Sequence, residues 1–125
     1  YVKQNKLNFV QMQNADGVFV SPDDSTFKAA AASADWSQSF YQILTNQKGK
    51  TAWPLTGATF ILLQKTQDKP AQATTVLKFF DWAYKSGDAT AAALDYVPMP
   101  AAVKKTIEKS WGEIKDTAGK SVAVK

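Results

Sequence analysis

The chain has 125 residues, of which 45% are hydrophobic and 12% aromatic, which is enough for a folded domain with its own core. It contains no cysteine and no histidine, so disulfides, thiolate metal sites and catalysis by Ser-His-Asp or Cys-His arrangements are excluded. All fifteen basic residues are lysines, against eleven acidic residues, and the net charge is +4. Because arginine is absent, the bidentate contacts that read guanine or clamp phosphate are missing from these residues. This balance indicates dispersed surface lysines more than an anion-binding surface.

The first third of the chain predicts a hairpin and two helices. Two short β-prone runs at residues 7–20 flank an Ala-Asp-Gly turn, and Asp-Gly between apolar-rich runs is a strong hairpin signal. Ser21 is suited to cap a helix and Pro22 to begin it, and the alanines that follow carry this helix to about Ala34. Residues 35–46 place aromatic side chains near helical spacing and are predicted to form a short helix.

The middle of the chain, TAWPLTGATFILLQK at residues 51–65, predicts a buried strand. Four apolar side chains in a row, at residues 60–63, are typical of a strand that is covered on both faces, which we predict over Thr59–Gln64. Such a strand needs hydrogen-bonded neighbours at both edges, and the chain offers only a distant hairpin. Together with Tyr1 in place of an initiator methionine, this predicts that the chain is a piece of a longer protein.

The second half of the chain predicts helices. Residues 70–86 have Pro70 at the start, Gly87 just past the end and an apolar stripe at i, i+3, i+4, i+7, which indicates an amphipathic helix. A short helix to about Asp95 and a proline-fixed turn, YVPMP, follow. A last amphipathic helix is predicted from Pro100, and the tail after it is polar and then weakly β-like. Four residues mark that last helix: Val103, Ile107, Trp111 and Ile114.

Three long stretches are specific enough to indicate a family: LTNQKGKTAWPLTGATFILLQK at residues 44–65, KPAQATTVLKFFDWAYKSG at 69–87 and LDYVPMP at 94–100. They closely resemble the C-terminal part of the periplasmic phosphate-binding proteins of bacterial high-affinity phosphate ABC transporters. The likeness runs from Tyr1 through NADG, SPDDSTF and ADWSQSFYQ to SWGEIKDTAGK. It covers essentially the whole chain, in order and without a large gap.

The resemblance implies part of a two-lobed α/β receptor with the type II, Venus-flytrap fold. Within this segment the fold would be mostly helical, with a hairpin and one buried strand. Residues 1–54 would be the C-terminal part of the second lobe, and residues 55–125 a returning segment that completes the first lobe. The strand Thr59–Gln64 would then insert into a sheet made by residues far upstream.

The function that the resemblance implies is binding of inorganic phosphate in the periplasm and its delivery to an inner-membrane ABC permease, without enzymatic activity. In the family, hydroxyls, backbone N–H groups, an arginine and an aspartate hold phosphate, and these positions lie upstream of the matched segment. No catalytic, metal, cofactor or phosphate-binding residue is therefore carried over to this chain. The N-terminal portion of the same protein is an implied partner. The alternative is a small basic interaction domain that binds nucleic acid or an acidic partner, against which the missing arginine and the lack of a dense lysine cluster count.

Several residues carry a second interpretation that concerns chemistry. The hydroxyls of Thr56–Thr59, beside Gly57, could bond an anion, but strand entry and hinge flexibility explain them equally well. Asp81 and Asp95 are interpreted as capping or surface carboxylates beside packed rings, because no pair of carboxylates stands at a catalytic spacing. Core packing is the predicted role of four tryptophans: Trp36, Trp53, Trp82 and Trp111. A solvated helix face is predicted for three lysines: Lys104, Lys105 and Lys109.

Overall fold

The computed structural model describes residues 1–122 and opens with the predicted hairpin. Strand β1 (Met12–Gln13) pairs antiparallel with β2 (Phe19–Val20), with Met12 opposite Val20. Gly17 in the turn has a φ of 79°, a conformation that costs glycine little and other residues more. The hairpin prediction is confirmed, although each strand has only two residues.

Helix α1 (Asp24–Ser33) begins later than predicted, because Asp23 is its N-cap rather than Ser21. The Asp23 carboxylate accepts the backbone N–H groups of Ser25 and Thr26, and the Thr26 hydroxyl accepts the Asp23 N–H in return. The Ser25 hydroxyl also donates to this carboxylate, and that bond, followed by the Thr26 N–H, lowers the pKa of Asp23. This reciprocal capping box satisfies more of the helix end than a serine at residue 21 would.

Residues 35–46 do not form the predicted short helix; they form successive turns. The Asp35 carboxylate accepts both the backbone N–H and the hydroxyl of Ser37, which lowers the pKa of Asp35. The Gln42 side chain donates to the backbone carbonyls of Asp35 and Ser39. Short polar side chains here bond the nearby backbone and so compete with the helical hydrogen bonds that the aromatic spacing suggested.

The three helices of the second half agree with the sequence predictions. Helix α2 (Pro70–Ser86) spans the predicted range, α3 (Asp88–Ala93) is the short helix after it, and α4 (Ala101–Ser110) follows the proline-fixed turn. Gly87 joins α2 to α3, and a Cβ atom there would lie 2.5 Å from the Ala83 carbonyl oxygen, so the joint requires glycine.

The chain beyond α4 differs from the prediction. After α4 comes a 3-10 turn (Trp111–Glu113), so Trp111 and Ile114 lie outside the α-helix that they were predicted to mark. A parallel pair that the sequence did not predict follows, between β3 (Thr66–Gln67) and β4 (Lys115–Asp116). Two-residue strands carry no periodic signal, which is why this pair was missed. The β-like end of the tail, at 123–125, lies outside the described residues.

Residues 59–64 do not form the predicted buried strand in this chain. They belong to no strand, and the apolar side chains among them are exposed, Ile61 by 59% and Leu62 by 91%. A β-strand is held by hydrogen bonds to a neighbour, and residues 1–122 place no strand beside this run. Residues 1–122 therefore do not build this strand by themselves, and its insertion into a sheet of upstream residues stays a prediction.

Two small apolar cores organise the described residues. The first core contains Ala31, Ala34 and Leu44, and Trp36, Ala58 and Met99 pack against it. The second core contains Leu77, Ile114 and Val122, and Ala73 and Trp111 pack against it. We call the residues up to Thr56, which surround the first core, the first body. We call the residues from α2 to β4 the second body. Among residues 1–122, no helix has the length and apolar character that crossing a bilayer requires.

Candidate functional site

The segment that leaves the first body, Trp53–Thr56, is anchored to it by backbone and side-chain hydrogen bonds. The Trp53 N–H donates to the Thr26 carbonyl over 3.0 Å, and the Pro54 carbonyl accepts the Asn46 N–H over 2.8 Å. The Trp53 ring is buried edge-to-face against Phe27, with ring centroids 6.3 Å apart. The chain is thus fixed to the first body until Thr56.

The hydroxyls of Thr56 and Thr59, at the end of this anchored segment, lie in different environments, one buried and one exposed. Thr56 is buried, and its hydroxyl donates to the Trp53 carbonyl over 2.9 Å. Thr59 and Gly57 are exposed, and a Cβ atom at Gly57 would meet nothing within 4 Å. The Thr56 hydroxyl therefore closes a turn, and the open surroundings of Gly57 suit a flexible exit from the first body.

A buried asparagine, which sequence reasoning missed, holds the hairpin to the loop before this segment. The Asn14 amide nitrogen lies within 3.0 to 3.3 Å of three carbonyl oxygens, those of Gly49, Lys50 and Ala52. Its side-chain oxygen accepts the backbone N–H groups of Asp16 and Val18. The only sequence signal was an asparagine at the start of the Asp-Gly turn, which also fits an ordinary exposed turn residue.

Lys104 lies at the centre of a cluster that joins α2, α3 and α4, and it corrects the prediction of a solvated lysine face. It is buried, with 9% of its surface exposed, whereas Lys105 and Lys109 are exposed as predicted. Its ammonium group donates to the Tyr84 carbonyl over 3.0 Å and pairs with the Asp88 carboxylate over 2.5 Å. The same ammonium lies 5.7 Å from the centre of the Tyr84 ring. The cluster therefore fixes α4 against the end of α2.

The Tyr84 ring completes this cluster and connects it to the second core. It stacks on Trp111 with centroids 5.9 Å apart and planes 17° apart, and Trp111 packs against the second core. Burial, and then the negative charge of Glu108, raises the pKa of Tyr84. The phenol therefore remains neutral at physiological pH, and the cluster has a structural role.

We expect Lys104→Ala to destabilise the full-length protein by about 1 to 3 kcal/mol, because it removes a buried stem and leaves the Tyr84 carbonyl without its donor. Most of the Asp88 carboxylate is exposed, so the ion pair itself contributes little of this. Lys105→Ala, on the exposed side of the same helix, is the matched control and should change stability by less than about 0.5 kcal/mol. Urea unfolding of both variants measures the difference, and equal midpoints would contradict the role of the cluster.

The remaining candidates from the sequence fall into structural roles or onto the surface. Asp81 pairs with Lys85 one helical turn away over 2.8 Å, which raises the pKa of Lys85. Trp36 donates its indole N–H to the Ala31 carbonyl over 2.7 Å and is partly buried as predicted. Trp82 is 56% exposed, so the prediction that it packs in a core is wrong for this chain. In residues 1–122, no cluster of three His, Cys, Asp or Glu side chains could hold a metal ion.

The described residues show no prepared phosphate site. Every buried side-chain nitrogen and oxygen in residues 1–122 has a hydrogen-bond partner, so no buried side-chain donor there is left open for an anion. A shallow groove lies between the start of α2 and the exposed run. It is lined by Leu63, Gln67, Asp68, Lys69, Gln72, Ala73, Val76, Leu77 and Ile114. The lining carries one acidic and one basic side chain, whose charges offset each other, and is otherwise apolar or amide, which suits polypeptide better than a small dianion.

A large apolar surface is open to solvent beside this groove. It consists of the run Phe60–Leu63 and of Val76, Phe79 and Trp82 on α2. Leu63 and Val76 both line the groove, which connects the two parts. An exposed surface of this character usually marks a place where other polypeptide packs.

Comparison with known proteins gives relatives of one kind. The chain is 46% identical over 125 residues to the phosphate-binding protein PstS of Pasteurella multocida, an alignment that covers 98% of this chain and 36% of that protein. It is 47% identical over 113 residues to PstS of Haemophilus influenzae, and 42% identical over 113 residues to PstS of Xylella fastidiosa. These two alignments cover 89% of this chain and 34% and 31% of the relatives. The chain thus spans about a third of the length of the curated relatives it matches, and no family model matches it.

Proposed function

Because the chain belongs to the family of PstS phosphate-binding proteins and corresponds to their C-terminal part, we propose that it is the C-terminal portion of a phosphate receptor. The receptor binds inorganic phosphate in the periplasm and delivers it to an inner-membrane ABC permease. The observation that carries the proposal is 42 to 47% identity over nearly the whole chain to proteins named for phosphate binding. Those names describe binding proteins, and the proposal accordingly includes no catalytic step.

The proposed architecture is a two-lobed, Venus-flytrap α/β receptor in which residues 1–54 belong to the second lobe and residues 55–125 complete the first. Mixed helices and small sheets, arranged around two separate cores, are compatible with pieces of two lobes. The segment Trp53–Thr56 is anchored to the first body and Ala58 still packs against its core, whereas Thr59 is exposed, which is compatible with a crossing in this stretch. We further propose that the N-terminal portion of the protein covers the exposed run and the outer face of α2.

Phosphate is proposed to bind to residues upstream of this chain. A buried phosphate dianion is held by preorganised donors, most effectively by a planar guanidinium and by backbone N–H groups at helix starts. This chain has no arginine, and its buried side-chain donors are already used. The contribution of this chain is therefore to complete and position the lobes rather than to contact the anion.

The alternative, a basic domain that binds nucleic acid or an acidic partner, has no observation in its favour. The relatives are named for phosphate binding. Four lysines of the described residues pair with carboxylates, which reduces the charge available to a nucleic acid; they are Lys3, Lys65, Lys85 and Lys104. Any affinity for nucleic acid is then expected to be weak and screened by salt.

Calorimetric titration of the full-length protein tests the proposal. We expect phosphate to bind at one site with an affinity that changes little between low and physiological salt, because a desolvated site is screened much less than surface charge. A DNA duplex is the control ligand, and its binding should collapse over the same range of salt. Absence of phosphate binding, or sequence-selective DNA binding that survives physiological salt, would overturn the proposal.

A further inference from the structure

Met99 is a point at which the second body touches the first core. It lies in the turn between α3 and α4, is half-buried, and packs against the core of Ala31, Ala34 and Leu44. Ala58 packs against the same core, but it directly follows the anchored segment. Met99 is separated from that core by more than fifty residues of chain, so its contact is a tertiary one between the two bodies.

The turn that carries Met99 is stiff and firmly attached to the second body. Pro98 and Pro100 flank the methionine and fix the backbone φ angle at two of three successive residues. The Tyr96 N–H donates to the Ala91 carbonyl over 2.9 Å, and the Pro100 carbonyl accepts the Lys104 N–H over 3.0 Å. The turn is thus bonded to α3 on one side and to α4 on the other, so it moves with them.

The chemistry of the contact suits a favoured but not rigid orientation of the two bodies. A methionine side chain is unbranched and polarisable and adapts its shape to the surface that it meets. The core that it meets combines the small side chains of Ala31 and Ala34 with the larger Leu44, an uneven surface of the kind that an unbranched side chain can fit.

We propose that Met99 is a positioning residue for phosphate capture, which sets the orientation of the two bodies through its contact with the first core. This rests on the proposed function, in which the two bodies belong to different lobes. The contact restricts the orientations that the phosphate-free protein samples. Without it a smaller fraction of the protein is ready to bind, and the apparent Kd rises in proportion.

The test uses the full-length protein with spin labels on the two bodies, attached through Lys28→Cys on α1 and Lys105→Cys on α4. Both lysines are exposed, and this segment contributes no cysteine of its own. Met99→Ala should broaden the distance distribution between the labels and raise the phosphate Kd by roughly 3- to 10-fold. Met99→Leu, which conserves volume, should restore both. Met12→Ala truncates a half-buried methionine inside the first body and should change neither.

The outcomes separate this proposal from the proposed function. An unchanged distance distribution in Met99→Ala overturns the role of Met99, and so does an unchanged Kd. If Met99→Ala does not fold, Met99→Val, a milder truncation, is measured in its place and judged in the same way. If the unsubstituted protein binds no phosphate, the proposed function fails, while the distance distribution still decides whether Met99 orients the bodies.

Discussion

Phosphate titrated into the isolated 125-residue chain is expected to give no specific binding, whereas the full-length protein is expected to bind it tightly. The proposed phosphate-gripping residues lie upstream, and a few lysines in water attract an anion only through salt-screened charge. The isolated chain also leaves Ile61, Leu62, Phe79 and Trp82 more than half exposed. We therefore expect it to be partly unfolded, to associate with itself and to bind a dye that reports exposed apolar surface. Calorimetry measures the binding of phosphate, and light scattering measures the self-association.

Adding the N-terminal portion as a separate chain should restore both the folded structure of the segment and the binding of phosphate. Covering the exposed run and the outer face of α2 supplies the apolar burial that orders the segment, and the added chain brings the phosphate site. The mixture should therefore bind phosphate and stop scattering light. The matched control is the 125-residue chain with Phe79→Lys, which places a charge on the surface to be covered and should complement poorly. Tight, salt-resistant binding by the isolated chain would place the site here after all, with Thr56, Gly57 and Thr59 the first residues to replace.

Long elements with local signals were predictable from the sequence. Helix α2 spans the predicted residues 70–86 because its apolar stripe, its first-turn proline and the glycine after it all indicate one helix. The hairpin was predictable from Asp-Gly alone. In both cases the information lies within a few residues along the chain, so one sequence is sufficient.

Features that depend on distant residues were not predictable. Lys104 has the sequence context of an exposed lysine, and only the fold brings Asp88 and the Tyr84 carbonyl to its ammonium group. Asn14 similarly bonds a loop more than thirty residues away. The helix predicted at 35–46 does not form, because side chains there compete with the helical hydrogen bonds for the nearby backbone. The hydrogen bonds from Ser37 to the Asp35 carboxylate favour a turn instead.

Residues 59–64 show the limit most directly, because the apolar pattern predicted burial and this chain leaves them exposed. The sequence offers no strand to pair with this run, so its cover was predicted to lie outside this segment, and that stays a prediction. The likeness to proteins about three times as long gives the proposed answer, namely that the rest of the receptor covers it.

Ile61→Asp is expected to have little effect on the isolated chain and a large effect on the full-length protein. In the isolated chain Ile61 is 59% exposed, so a carboxylate there stays hydrated and should change stability by less than about 0.5 kcal/mol. In the full-length protein the proposed cover would bury that carboxylate without a partner, at a cost of several kcal/mol. Because a typical domain is stable by only about 5 to 15 kcal/mol, most or all of the folded protein should be lost.

Circular dichroism melting of four proteins measures this contrast: the isolated chain and the full-length protein, each with and without Ile61→Asp. Gln64→Asp is the matched control, since it introduces the same charge at the polar end of the run and should be tolerated in both contexts. The expected pattern is a large loss for Ile61→Asp in the full-length protein alone. A soluble full-length variant with an unchanged melting temperature would show that the run lies on the surface of the whole receptor, and the proposed packing of its lobes would then be wrong.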